Sequence, residues 1–251
     1  MSGWQNAGDG LRIGGHRGAP DLAPENTLAG FRAAVAAGAS FCELDVRRSA
    51  DGVLVIMHDD TVDRTTDGHG PVDSLTVAEL RRLDAGRAFH PVYAGEHVPT
   101  LDEVLSWVEL DAPEDFGLII EAKGEGTGAD IGRAVATSSA SDRLAICSFS
   151  AEELMAAPDA FTVLLFEPWK PWGDPLETML AARVRGADVP WQWDEPSVVE
   201  RMHEHGLAVG GGSASSFVAV ERLVRFGADF VDSDSPATAL AALRVLAEPS
   251  R

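Results

Sequence analysis

Lysine is nearly missing from this chain: Lys123 and Lys170 are the whole supply, and the other eighteen of the 20 basic residues are arginines. Acidic residues number 40 against those 20, a formal charge of -20 at pH 7. So acidic a chain is a poor partner for nucleic acid or an anionic membrane surface, whose phosphates reward Lys and Arg. The charge otherwise describes a well-solvated surface. Cysteine is as scarce, with only Cys42 and Cys147, each inside an apolar run. That excludes a disulfide framework and predicts buried thiols. No apolar run approaches the ~20 residues that a membrane span requires. The opening MSGWQNAGDG lacks the basic and apolar regions of a signal peptide. A cytoplasmic protein with no stable membrane insertion is therefore expected. Where arginine is the default cation, a lysine inside a strand points to a position that wants a compact, rotatable ammonium, and Lys123 is so placed.

What is present is an alternation of short apolar runs and amphipathic stretches. Strands are expected at 12–16, 41–46, 53–58, 118–123, 144–149, 161–166, 187–191, 207–210 and 229–232. Helices are expected at 27–37, 101–110, 131–138, 176–185, 196–205 and 217–226, the first stopped by Gly38. There is no low-complexity linker and no repeat, and 251 residues with 45% hydrophobic content suffice for one large core. One domain spanning 1–251 is expected.

Nine strands exceed a closed eight-stranded barrel by one, but 47–52 is far too short for a parallel crossover. It contains Asp51-Gly52, a two-residue hairpin signal. With those two as the loop, Ala50 pairs with Val53 and Asp45 falls opposite His58, on the face that Glu43 shares by the period of two. The remaining eight strands suit a (β/α)8 TIM barrel, where chemistry gathers at the C-terminal ends of the strands.

Five strings occupy those ends: GGHRG at 14–18, PENT at 24–27, CELDV at 42–46, MHDD at 57–60 and IIEAK at 119–123. Each has a plain alternative. HRG alone is a turn with a satisfied histidine, HD alone is common at strand ends, and PENT can be a helix start with Asn26 as N-cap. Glu121 and Lys123 can be a buried salt bridge. Glu43 and Asp45 are interleaved with Phe41, Cys42, Leu44 and Val46, so the strand reads as buried, where unpaired carboxylates are costly and a metal ion relieves the cost. Together the strings include two imidazoles, an arginine, a lysine and, within the strands, the three carboxylates Glu43, Asp45 and Glu121, enough to hold one hard metal ion and cleave a phosphate ester.

This ordered set resembles the glycerophosphodiester phosphodiesterase family. HRG, PENT, E-x-DV, DG, HD, RTT, PTL and E-x-K are matched by His16 to Gly18, Pro24 to Thr27, Glu43 to Val46, Asp51-Gly52, His58-Asp59, Arg64 to Thr66, Pro99 to Leu101 and Glu121 to Lys123. The segment of about 60–99 is similar to the family's small insertion after the HD motif. The resemblance implies a metal-dependent hydrolysis of glycerophosphodiesters to an alcohol and glycerol 3-phosphate. By position, Glu43, Asp45 and Glu121 become metal ligands and His16 and His58 the acid/base pair. Arg17 and Lys123 would hold phosphate oxygens, and Glu25 and Asn26 would orient the ligands. An all-oxygen ligand set favours Mg²⁺ or Ca²⁺, with Mn²⁺ as a third candidate, over zinc. A phospholipase D-like enzyme on lysolipids and a catalytically silent barrel that binds phosphodiesters are the rival readings.

The C-terminal third departs from the family pattern. Where family members carry WTVN, this chain places Gly212 to Ser215, so a wall tryptophan on the glycerol side of the pocket is missing. The last strand ends DSDSP in place of the usual TD-x-P, with Ser233 for Thr. Trp169, Trp172, Trp191 and Trp193 follow two other strands and are candidates to replace that wall. An open wall that admits bulkier diesters is the favoured expectation.

Overall fold

The computed structural model describes Trp4 and residues 10–167, 169, 173–190 and 196–247. Eight parallel strands close a barrel: β1 (Arg12–Gly15), β2 (Phe41–Arg48), β4 (Gly117–Ala122), β5 (Leu144–Ser148), β6 (Phe161–Leu165), β7 (Gly186–Val189), β8 (Ala208–Gly211) and β9 (Phe230–Val231). β1 closes it by pairing with both β2 and β9. The ninth strand, β3 (Leu54–Ile56), is antiparallel to the far end of β2. It takes the edge that β1 vacates, because β1 reaches only Phe41 and Cys42. The expected (β/α)8 TIM barrel is thus observed.

Period-two alternation sorts the barrel wall. Cys42, Leu44 and Val46 join the large core beneath the helices, which leaves Phe41, Glu43 and Asp45 facing inward. The interior is filled by Phe41, Ile119, Phe161, Val163 and Phe230 with Trp4, whose ring lies 5.3 Å from Phe41 and 6.1 Å from Phe230. Apolar side chains therefore plug the barrel's lower part, and the carboxylates sit above that plug.

Helices cover the outside as expected, with shifts that have local causes. α1 (Leu28–Ala37) ends at Gly38, whose φ of 93° lets its N–H reach the last turn. α2 (Val77–Leu80) is a single turn in the segment that follows β3. α3 (Leu101–Leu110) opens with a Thr100–Glu103 capping box. α4 (Thr127–Thr137) begins four residues before the expected Ile131. There Gly128 permits a close approach, since a Cβ would stand 2.2 Å from the Glu153 carbonyl oxygen. Glu153 lies in a short α5 (Ala151–Met155), which the sequence did not announce. α6 (Pro175–Ala182), α7 (Pro196–Glu204) and α8 (Phe217–Phe226) match, and α9 (Pro236–Ala247) was not anticipated. The segment between β3 and α3 packs on its own cluster of Val55, Met57, Val62, Val72, Leu80 and Val98. Both cysteines are buried thiols, and no described helix is long and apolar enough to cross a membrane.

The hairpin register corrects the sequence reading by one residue. Val46 pairs with Ile56 and Arg48 with Leu54, so Asp45 lies opposite Met57, not His58. The loop has three residues, 50–52: Gly52 N–H donates to the Ser49 carbonyl at 3.0 Å, and Gly52 adopts φ 81°. The Ser49 hydroxyl also binds Asp51 and Val53, which stabilises this longer turn over a two-residue one.

Candidate functional site

A cavity of about 360 Å³ opens above the aromatic plug, at the C-terminal ends of the strands. His16, Arg17, Glu43, His58, Glu121 and Lys123 line it.

Asp45 and Glu121 are direct partners in the parallel ladder of β2 and β4, and Glu43 is one inward position below Asp45. Ligand oxygens of these three carboxylates lie within 4.8 Å of one another, all three residues being buried. Lys123 bridges two of them, with Nζ 3.1 Å from Asp45 and 2.9 Å from Glu121. Burial and the neighbouring Asp45 push Glu43 well above the usual carboxylate range. Burial raises Glu121 to about 7, with Lys123 opposing. Asp45 goes the other way: burial pushes it up, but Lys123, Arg17 and Asn26 outweigh that. A cluster in which two of three carboxyls resist ionisation fits a cation that would neutralise them, and the oxygen-only donor set fits a hard one.

The loops after β1 and before α1 are wound together. Arg17 and Asn26 both adopt φ 55°, a left-handed conformation that non-glycine residues rarely take. Asn26 N–H donates to the Arg17 carbonyl at 2.9 Å. Gly18 permits the contact between the loops, since a Cβ would stand 2.7 Å from the Gly30 backbone. So wound, the Arg17 amide donates to Glu43 Oε2 at 3.1 Å, and Arg17 Nε lies 3.3 Å from Asp45 Oδ2. Asn26 is not the N-cap of α1; Thr27 is, accepting from Gly30 N–H. The Asn26 side chain instead donates Nδ2 to Asp45 Oδ2 at 2.8 Å and accepts from the Asp45 amide. Glu25 accepts from Arg17 and Arg64.

The two histidines are held alike. His16 Nδ1 is 2.7 Å from Asp234 Oδ1, and His58 Nδ1 is 2.6 Å from Asp59 Oδ1. Arg64 holds Asp59 below the ordinary carboxylate range by donating from Nε and Nη2. An ionised carboxylate only accepts, so in each pair Nδ1 donates and Nε2 is free for the cavity. His16 Nε2 is 4.0 Å from Glu43 Oε2. Burial disfavours charge on His16, yet Asp232, the Asp234 hydrogen bond and Glu43 prevail and raise it to about 10. His58 reaches the cavity although it lies past the end of β3. Its carbonyl accepts from Arg47 Nε and Nη2 at 2.9 and 2.7 Å, which secures the chain where the ladder stops.

The site thus assembles all nine residues expected from sequence: His16, Arg17, Glu25, Asn26, Glu43, Asp45, His58, Glu121 and Lys123. Arg64, Asp59 and Asp234 join them; RTT, HD and the final strand's second Asp stand in the sequence, but only the fold shows what they hold. Asp188 on β7 and Asp232 after β9 also line the cavity and carried no signal. Gly212 does line it, as the missing wall required. Trp169 is exposed, and Trp172, Trp191 and Trp193 lie outside the described residues.

Residues 16–238 match the model of the glycerophosphoryl diester phosphodiesterase family. A glycerophosphodiester phosphodiesterase of Caldanaerobacter subterraneus is 34% identical over 245 residues, covering 91% of this chain and 96% of its own. A probable glycerophosphodiester phosphodiesterase 1 of Mycobacterium tuberculosis is 32% identical, covering 88% of each chain. Among solved structures, the glycerophosphodiester phosphodiesterase of Agrobacterium tumefaciens superposes with a TM-score of 0.80 at 30% identity, covering 92% of this chain and 99% of its own. A phosphodiesterase of Oleispira antarctica, solved with the product sn-glycerol-3-phosphate, gives 0.81 at 29% identity, covering 93% and 96%. With the motifs, the barrel and a match over most of its length in agreement, the chain belongs to the glycerophosphoryl diester phosphodiesterase family.

Proposed function

We propose that this protein hydrolyses glycerophosphodiesters to an alcohol and glycerol 3-phosphate, with the help of one divalent cation. The observation that carries this reading is a cluster of three carboxylates, Glu43, Asp45 and Glu121, of which Glu43 and Glu121 line one cavity with two histidines whose Nδ1 atoms are held by aspartates. The Oleispira antarctica relative with its bound product supports the substrate class.

Glu43, Asp45 and Glu121 would hold the cation, Mg²⁺ or Ca²⁺ first and Mn²⁺ next. When bound, it supplies positive charge to the phosphoryl oxygens. Lys123 has one N–H beyond the two that face Asp45 and Glu121, and Arg17 keeps donors beyond those on Glu25 and Asp45; these hold the phosphate. One histidine Nε2 takes the proton of the glycerol 2-hydroxyl as that oxygen attacks phosphorus. The other gives a proton to the leaving alcohol as its P–O bond breaks. The cyclic phosphate so formed is opened by water, with the proton roles reversed. Glu25, Asn26 and Arg64 keep Arg17, Asp45 and Asp59 in place.

A larger diester, such as a lysolipid, is the second reading, favoured by the open wall at Gly212 and the half-exposed Phe149 at the rim. A silent binding barrel has no need of two oriented histidines. The test is a panel of glycerophosphodiesters and lysolipids assayed for released glycerol 3-phosphate and head group. Release of glycerol 3-phosphate from the small diesters supports the reading, and turnover of lysolipids alone replaces it with the second.

A further inference from the structure

The cavity holds two aspartates besides the residues already described: Asp188 on β7 and Asp232 after β9, the neighbour of β1. Neither aspartate makes a side-chain hydrogen bond or ion pair among the described residues, and Asp232 Oδ1 is shielded from solvent with no partner. His16 is the cation whose charge reaches both.

Backbone register explains how they come to share one space. Asp188 pairs with Gly210, and Gly210 with Phe230. Two residues further up, Gly212 N–H donates to the Val189 carbonyl at 3.1 Å, and Ala214 N–H to the Asp232 carbonyl at 3.0 Å. Gly212 therefore sits between the two acids. A Cβ there would lie 3.7 Å from Asp188 Oδ1, so the gap left by the missing wall residue is bordered by carboxylate. Phe166 and Phe149 complete its apolar rim.

We infer that Asp188 and Asp232, across the gap at Gly212, form a subsite for an ammonium group on the alcohol arm of the substrate. Among glycerophosphodiesters, an amino-alcohol head group is then favoured over a neutral or acidic one. The inference rests on the hydrolase reading above and adds the head-group class. Two carboxylates with no hydrogen-bonded or ion-paired partner and only the more distant charge of His16 in common are costly when shielded from water, and hydroxyl donors from a glycerol arm would add no positive charge beside them. An ammonium supplies charge as well as donors. On this inference the head group, not the glycerol expected at this wall from sequence, lies against Gly212.

The experiment compares kcat/KM of the cation-loaded full chain for glycerophosphoethanolamine and for its neutral analogue with hydroxyl in place of ammonium. A charge-assisted contact predicts a preference of ~10-fold or more for the amine. That ratio should fall toward one in Asp188→Asn and Asp232→Asn. On the wild-type protein alone, 2-aminoethyl phosphate should inhibit ~10-fold more tightly than 2-hydroxyethyl phosphate, which keeps the test open if a variant fails to fold. Equal kcat/KM for the two diesters in wild type, or an unchanged ratio in both folded variants, overturns the subsite. So does loss of one equivalent of bound Mg²⁺ in Asp232→Asn, which would make Asp232 a ligand of a cation shared with His16 and Glu43. If neither diester is cleaved, the hydrolase reading fails, while the inhibitor pair still reports on the subsite.

Discussion

Asp59 Oδ1 stands 2.6 Å from His58 Nδ1, and that aspartate is itself gripped by Arg64. The pair fixes which imidazole nitrogen carries the proton and which faces the cavity. Asp59→Asn should therefore lower kcat by ~10²-fold with little change in KM and with the fold intact, because the amide can hold the wrong tautomer in place. A kcat within twofold of wild type would show that His58 does not rely on this contact.

The histidines themselves should behave as proton carriers. His16→Ala and His58→Ala should each reduce kcat by ~10²-fold or more. Thermal stability should change far less than activity in either variant. If activity falls only in proportion to lost stability, the histidine concerned is a packing residue.

The acidic cluster makes a prediction about pH. Glu121, raised to about 7, binds its proton more tightly in the folded, cation-free protein than in the unfolded chain. Its contribution to stability is full below its ordinary value and is lost as pH rises through about 7. Glu43 is shifted in the same direction. A cation competes with these protons, so the rise in Tm caused by Mg²⁺ or Ca²⁺ should grow between about pH 5 and pH 8. Melting curves with and without cation across that range measure it, and a constant increment would remove Glu43 and Glu121 from the cation site.

Gly212 offers a direct probe of the open wall. Since a Cβ there meets Asp188 at ordinary contact distance, Gly212→Trp should extend into the cavity. It should reduce kcat/KM for a lysolipid or other bulky diester by more than for a small one. Equal effects on both, or none, would place position 212 away from the bound head group.

The parts of the site legible in the sequence are those carried by local patterns. Alternation along β2 puts Glu43 and Asp45 inside, and IIEAK identifies their neighbour Glu121 with Lys123. The hairpin was read one residue out of register because Asp51-Gly52 also ends a three-residue turn, and the Ser49 hydroxyl that selects the longer loop is not part of the dipeptide signal. Asn26 had two local readings, and only the distant Asp45 decides between them. Asp234 shows no role in the sequence because its partner lies on a strand remote from it: it meets His16 only when β9 closes the barrel against β1. Helix α9 begins at Pro236, a helix start that the motif it ends conceals.

The central claim is cation-dependent cleavage of a glycerophosphodiester at the cluster of Glu43, Asp45 and Glu121. It is tested most directly by measuring glycerol 3-phosphate release from glycerophosphoethanolamine in EDTA, and again after Mg²⁺, Ca²⁺ or Mn²⁺ is restored. The predicted result is no turnover under chelation and recovery with at least one of the three ions, with recovery lost in Glu43→Gln. Full activity in EDTA, or a Glu43→Gln variant whose response to the ions matches wild type, would contradict it.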